Sequence, residues 1–168
     1  MEFEVVVPDV VESSEGEPTE VVLENARRKA GAVLRDAAPD AMVLGADTEV
    51  VLEGTVLGKA ADEAEARRYL ESLSGRAHEV LGGVVLLGPG DAPERSGVAS
   101  SRVTFRELDP ATVDLYLASG EWRDRAGAYA IQGLGSLLIE RLDGDFSNVV
   151  GLPVGLLLQL APELIPGG

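Results

Sequence analysis

Leu44-Gly-Ala-Asp-Thr-Glu-Val-Val-Leu-Glu-Gly-Thr-Val-Leu-Gly-Lys59 reads as two β-branched runs joined at Glu53-Gly54. A dipeptide ending in glycine between such runs predicts a hairpin, because the favoured two-residue turns need φ > 0. With Glu53-Gly54 as the loop, Leu52 faces Thr55 and, counting back, Thr48 faces Lys59. Asp47 is then one residue from that pair, at the open end. A bulge at Gly58 would instead bring Lys59 to the face of Asp47. In either register a carboxylate, a hydroxyl and an ammonium converge at one sheet end, a group suited to a phosphate and its metal. The competing reading is a hairpin end decorated with solvated charges.

The chain of 168 residues suits a single domain, residues 1–168, with a real core. Apolar residues make up 45% and aromatics only 4%, so the core is mostly Val, Leu and Ala. No apolar run is long enough to span a membrane, and the start lacks the basic-then-apolar pattern of a signal peptide. The absence of cysteine is compatible with the cytoplasm, which is the expected location. The single histidine, His78, has no cysteines to help it build a zinc site and reads as a hydrogen-bonded structural residue.

A net charge of −15 argues against nucleic acid or an anionic membrane as partner. A small anionic substrate remains compatible, provided cations gather locally or carboxylates recruit a divalent metal. Of 14 basic residues only Lys29 and Lys59 are lysines. Where arginine is so favoured, the two lysines mark places that need a compact, flexible ammonium, or they are chance survivors.

Outward from the hairpin, Phe3–Val7 reads as a strand and Pro8–Pro18 as an acidic loop carrying Glu12. Thr19 to about Ala37 reads as a helix with Pro18 in its first turn. Its apolar stripe is Val22, Ala26, Ala30, Val33 and Ala37, and Lys29 lies on that stripe, where an ammonium must snorkel or meet an anion. Asp62–Ser72 is a second helix ending at Ser74-Gly75, and strands follow from His78 to Leu87 and Ser96 to Leu108. Asp109-Pro110 caps and starts a helix that stops at Gly120. The polar, glycine-broken stretch Glu121–Gly133 reads as a ligand-contacting loop. Ser136–Arg141 reads as a strand and Pro153–Leu160 as a final apolar helix.

Together these motifs resemble the Maf-type nucleoside triphosphate pyrophosphatases. The matching signatures are Pro8-Asp-Val-Val-Glu12, Glu24-Asn-Ala-Arg-Arg-Lys-Ala30, Gly45-Ala-Asp-Thr48, Leu57-Gly-Lys59, Leu73-Ser-Gly75 with His78, Val103-Thr-Phe-Arg106, Asp124–Gly133 and Asn148–Pro153. Their order and spacing cover nearly the whole chain.

The resemblance implies an α/β fold, with a strongly twisted mixed sheet flanked by helices in two lobes around a central cleft. It implies hydrolysis of a nucleoside triphosphate to monophosphate and pyrophosphate with a divalent metal, Mg or Mn. Asp47 matches the family's catalytic base, and whether it is base, metal ligand or both stays open. Glu12 matches an acidic residue near metal and phosphates, so Glu12 and Asp47 are the expected metal ligands. Lys29 and Lys59 match triphosphate-contacting lysines, and Thr48 and Gln132 match positions tied to substrate choice. The Gly-Ala-Asp-Thr and Ala-Gly-Ala-Tyr-Ala-Ile-Gln forms look like the branch acting on dTTP and UTP, with modified pyrimidine nucleotides as an extension. The expected partner is a nucleoside triphosphate; no nucleic acid or membrane is expected, and a homodimer is compatible.

Two departures stand out. Arg125 occupies a position where the family usually has Lys. The family also opens with a strand and a Ser-Pro-Arg-Arg loop that grips phosphate, whereas this sequence starts at Met1-Glu-Phe-Glu, just past that segment. The rival expectation drawn from this is a non-catalytic nucleotide-binding or cell-division regulatory protein.

Overall fold

The computed structural model describes residues 3–90 and 92–165. Glu53 and Gly54 both take positive φ, 50° and 81°, and the hairpin closes on Leu52↔Thr55 as read from the sequence. It joins β1 (Val43–Leu52) to β2 (Thr55–Leu57). The two strands pair only as far as Val50↔Leu57, so Thr48 does not oppose Lys59. Beyond Leu57 the chain leaves β1: Leu57 and Gly58 carbonyls accept from the Gly127 N–H at 2.7 and 3.1 Å, and Lys59 bridges Ala126. A distant loop has outcompeted the rest of β1 for the hairpin's second arm.

β1 pairs along nearly its whole length with β3 (Ala77–Leu87), which pairs with β4 (Arg95–Phe105), which pairs with β5 (Ile139–Asp143). The order is β2-β1-β3-β4-β5. Every pair among the described residues is antiparallel, which corrects the expected mixed sheet. For β1–β2 the two-residue turn explains it, since such a turn can only reverse the chain.

Phe3–Val7 is also corrected. It forms no strand, and Phe3, Val5 and Val7 are 80%, 77% and 91% exposed. β propensity is not enough without a partner edge.

Helix α1 (Pro18–Leu34) begins where expected, with Pro18 at its start and the Glu17 carboxylate accepting from the Thr19 and Glu20 N–H groups. It buries Val22, Ala26 and Ala30 against one face of β1 and β3. Two glycines make that approach possible. A Cβ on Gly45 would lie 2.2 Å from the Ala26 carbonyl oxygen, and one on Gly83 would lie 2.6 Å from that of Val22. The backbone of α1 therefore rests directly on the sheet.

The opposite face carries the main core, where Val50, Val80, Val103 and Phe105 meet α2 (Glu63–Leu73) and α3 (Pro110–Ser119). Asp62 and Asp109 cap these helices by accepting from the Glu65 and Thr112 N–H groups. Short helices α4 (Phe146–Val150) and α5 (Val154–Leu160) complete that side. The expected strand from Ser136 is a 3₁₀ turn over Gly133–Leu138, and only then β5. The Glu121 carboxylate accepts from the Leu134 and Gly135 N–H groups, so those donors are unavailable to a sheet. Among the described residues no helix is long and apolar enough to cross a membrane.

Candidate active site

Because β2 stops pairing at Val50, the outer edge of β1 is open at Asp47 and Thr48. Neighbouring residues on a strand point to opposite faces. At an open edge both can still reach one space, and they do: Asp47 and Thr48 line the same pocket, of about 220 Å³, together with Lys29, Lys59 and Gln132. Five of the six residues singled out in the sequence therefore share one cavity. The sixth, Glu12, sits beside it and touches both lysines.

The charged groups form one connected chain. Lys29 donates to Asp47 and is 2.8 Å from Glu12 Oε1. Lys59 donates to both Glu12 oxygens, at 3.1 and 2.9 Å. Lys29 thus meets anions instead of snorkelling, because α1 is pressed so closely against β1. Glu12, on an extended loop, bridges the two ammonium groups.

Burial and charge compete at each group. Burial works to raise the Glu12 carboxyl, but its bonds to Lys29 and Lys59 outweigh this and hold it below the usual range. Burial works to lower Lys29, and its bonds to Asp47 and Glu12 reverse the sign and raise it. Asp47 is 7% exposed, and burial pushes it up despite Lys29. Its Oδ1 is the oxygen that Lys29 holds, and its Oδ2 is buried without a hydrogen-bond partner. A buried, unpartnered carboxylate oxygen is costly unless something comes to meet it.

The far end of the pocket is built differently. Tyr129 lines it, with its hydroxyl 2.8 Å from His78 Nε2 and its ring edge-on to Phe105. Burial pushes His78 down to about 4, so it is neutral, the structural role read from the sequence. Gln132 is exposed and immediately precedes the 3₁₀ turn. Thr48 Oγ1 lies 3.4 Å from the Gly151 carbonyl oxygen, tying the open edge to the loop after α4. Arg125 also lines the pocket, so the arginine standing in for lysine keeps a cation there.

Three residues gain a place that sequence reasoning did not give them. Glu49 is 7% exposed on the Asp47 face of β1, and burial, then Asp47 and Glu12, push it up to about 7. Its position two residues after Asp47 was the available signal. Asn25, fully buried, lies one helical turn before Lys29; it stands within the signature Glu24–Ala30 but was given no role of its own. Glu121 anchors the segment after Gln132, and nothing in its spacing marked it.

Comparison with known proteins identifies the family. A family model described as Maf-like protein matches residues 1–164. A protein of Deinococcus radiodurans named dTTP/UTP pyrophosphatase is 49% identical over 159 residues, which is 94% of this chain and 80% of that protein. One of the same name from Dictyoglomus thermophilum is 41% identical over 167 residues, 98% of this chain and 86% of the relative. Another from Pyrococcus furiosus is 41% identical over 146 residues, 87% and 75% respectively. A family model matching residues 1–164, with relatives at this identity over most of the chain, means that the chain belongs to the Maf family.

Proposed function

We infer that the protein hydrolyses dTTP and UTP to the monophosphate and pyrophosphate. The observation that carries this reading is the gathering of Lys29, Asp47, Lys59, Thr48 and Gln132 around one pocket in a chain of net charge −15. A triphosphate could not approach such a molecule without local cations, and the chain's only two lysines are both there. The names of the relatives supply the nucleotide class. The pocket then serves as the cleft between two lobes, one built on α1 and β1 and the other on the segment 124–133.

In this reading Lys29 and Lys59 turn from Glu12 to the phosphate oxygens, each an adaptable point charge. Asp47 takes the proton of the attacking water. The water oxygen bonds to the α-phosphorus as the α–β anhydride bond breaks, and pyrophosphate leaves. An upward-shifted carboxyl is the better base for that task. Thr48 and Gln132 face the sugar and base.

A divalent metal fits the residues present. Asp47 Oδ2 is a buried hard oxygen lacking a partner, and Glu12 adds a second carboxylate. No trio of metal-ligating side chains exists among the described residues, so the ion's remaining ligands would come from phosphate and water. When bound, Mg or Mn would supply charge neutralisation and polarisation of the phosphate.

The test is pyrophosphate release from dTTP, UTP and methylated GTP with magnesium or manganese. We expect release from the first two, and a loss of about 10²–10⁴-fold in Asp47→Asn, as for removal of a general base. Release no greater than from the Asp47→Asn protein would point to a nucleotide-binding protein without catalysis. Turnover of methylated GTP alone would overturn the branch assignment.

A further inference from the structure

Of the charged chain, α1 carries Lys29, β1 carries Asp47, and Lys59 is fixed by its bridge to Ala126, whereas Glu12 lies on a stretch with none of these supports. From Phe3 to Gly16 the backbone has no regular structure, and much of it is exposed. A carboxylate on such a loop would sample many positions, yet this one sits between two ammonium groups. What fixes it comes from α1.

Asn25 is fully buried and grips the peptide next to Glu12 at two points. Its Oδ1 accepts from the Ser13 N–H at 2.8 Å, and its Nδ2 donates to the Ser13 carbonyl oxygen at 3.0 Å. The same Nδ2 reaches Glu49 Oε1 at 3.4 Å. Only an amide can donate and accept in this way. A carboxylate there would lose the donors and add a further negative charge to Glu12, Asp47 and Glu49. On the other side of Glu12, Arg28 donates to the Val11 carbonyl oxygen at 3.2 Å, but that contact is exposed. In water such a bond is worth little, whereas the buried pair at Ser13 leaves stranded polar groups if broken.

We propose that Asn25 is a positioning residue for Glu12: its amide clasps the Ser13 peptide and so sets the Glu12 carboxylate between Lys29 and Lys59. The clasp and the lysine are built on one helix face, since Asn25 precedes Lys29 by four residues. Seating α1 on the sheet therefore delivers Lys29 to Asp47 and the acidic loop to Lys29 in one step. The inference rests on the pyrophosphatase reading for its readout.

The experiment is a double-mutant cycle on kcat/KM for dTTP. Asn25→Ala is expected to lower it about 10–100-fold, as for other residues that orient a ligand from behind. Glu12→Gln should lower it at least as much. The combined variant should be no worse than Glu12→Gln alone, because the clasp on Ser13 then holds no carboxylate between the lysines. Arg28→Ala should stay within about twofold of wild type, given the small worth of an exposed contact. Asn25→Leu keeps about the same side-chain volume, loses donors and acceptor and adds no charge, so it should track Asn25→Ala and carries the test if the alanine protein does not fold. Losses that multiply in the combined variant, or wild-type kcat/KM in Asn25→Ala, overturn the proposal while leaving the activity standing. Full activity in Glu12→Gln overturns it too. If dTTP is not hydrolysed at all, the same cycle run on calorimetric binding of inorganic pyrophosphate decides it: both single variants change Kd in one direction and the combined variant adds nothing.

Discussion

At one end of the pocket Lys59, Glu12, Lys29 and Asp47 are joined side chain to side chain. At the other, Tyr129 is wedged between Phe105 and His78, and the chain reaches it through Gly127 at φ 65° and Ala128 at φ 56°. The first end is held by charge and is ready to exchange partners. The second is held by packing and by backbone conformations that only a full core can enforce; left-handed alanine alone costs roughly 1–2 kcal/mol. In the proposed reading the charged end must release its internal ion pairs to accept the triphosphate, whereas the packed end keeps its shape. The different materials match those different duties.

The contact that defines the charged end is the seat of α1 on β1, so the largest effect is expected from Gly45→Ala. The added Cβ would lie 2.2 Å from the Ala26 carbonyl oxygen and 2.8 Å from the Ala30 Cβ, and neither is the tip of a flexible side chain. The helix must lift, taking Asn25 and Lys29 away from Asp47. Overpacking of this kind costs about 1–3 kcal/mol or more. A displacement near 1 Å at a reacting centre costs about 10²-fold in rate. Thermal unfolding and kcat/KM should both report it. A variant with wild-type values in both would mean that α1 does not need this approach.

The next effect sharpens the comparison within the charged end. Lys59→Arg keeps the charge but replaces a compact ammonium with a planar fork, and turnover should fall about tenfold or more. Lys59 is half-exposed and, among the described residues, pairs only with Glu12, so the fold should tolerate the change. Lys29 is different, because removing it leaves the buried Asp47 carboxylate facing Glu12 without compensation. Lys29→Ala should therefore weaken triphosphate binding and also cost some stability. Equal turnover in Lys59→Arg would show that ammonium geometry at this end is irrelevant.

The same contrast decides what could be read from the chain. The hairpin at Glu53-Gly54, the caps at Asp62 and Asp109 and the α1 stripe of Val22, Ala26 and Ala30 depend on neighbours a few residues away and appear where the spacing puts them, although α1 ends at Leu34, short of Ala37. The charged end was legible because lysine is rare here, so Lys29 and Lys59 announced themselves. What escaped depends on distant partners. Phe3–Val7 has the composition of a strand but pairs with no other strand. Leu137 and Leu138 look like strand residues, yet Glu121 holds the preceding N–H groups in a 3₁₀ turn. The second arm of the hairpin turns to Ala126 because of Gly127, some seventy residues away in the chain. Asn25 and Glu49 are buried polar residues, and burial cannot be seen without knowing which face meets α1.

The smallest effect on activity is expected at the packed end, and it is a matter of pH. The His78 ring is buried and its Nδ1 has no hydrogen-bond partner. Its pKa is pushed down to about 4 from the ordinary 6.5. Between those values the unfolded chain binds a proton that the folded protein refuses. Stability must then fall as pH falls through that window, by up to about 1.4 kcal/mol per pH unit from this group. Glu49, pushed up to about 7, contributes with the opposite sign, since its folded form holds a proton that the unfolded chain has lost. The net slope of the wild type therefore says little about either residue. The difference between wild type and His78→Gln isolates the histidine: Gln can keep a bond to the Tyr129 hydroxyl but has no proton to refuse. Urea unfolding at a series of pH values should show the wild type losing stability relative to the variant as pH falls from 6.5 toward about 4, with the two curves parallel above 6.5. Parallel curves across the window would mean that His78 takes up its proton in the folded state, and that the packed end is more open to water than its burial indicates.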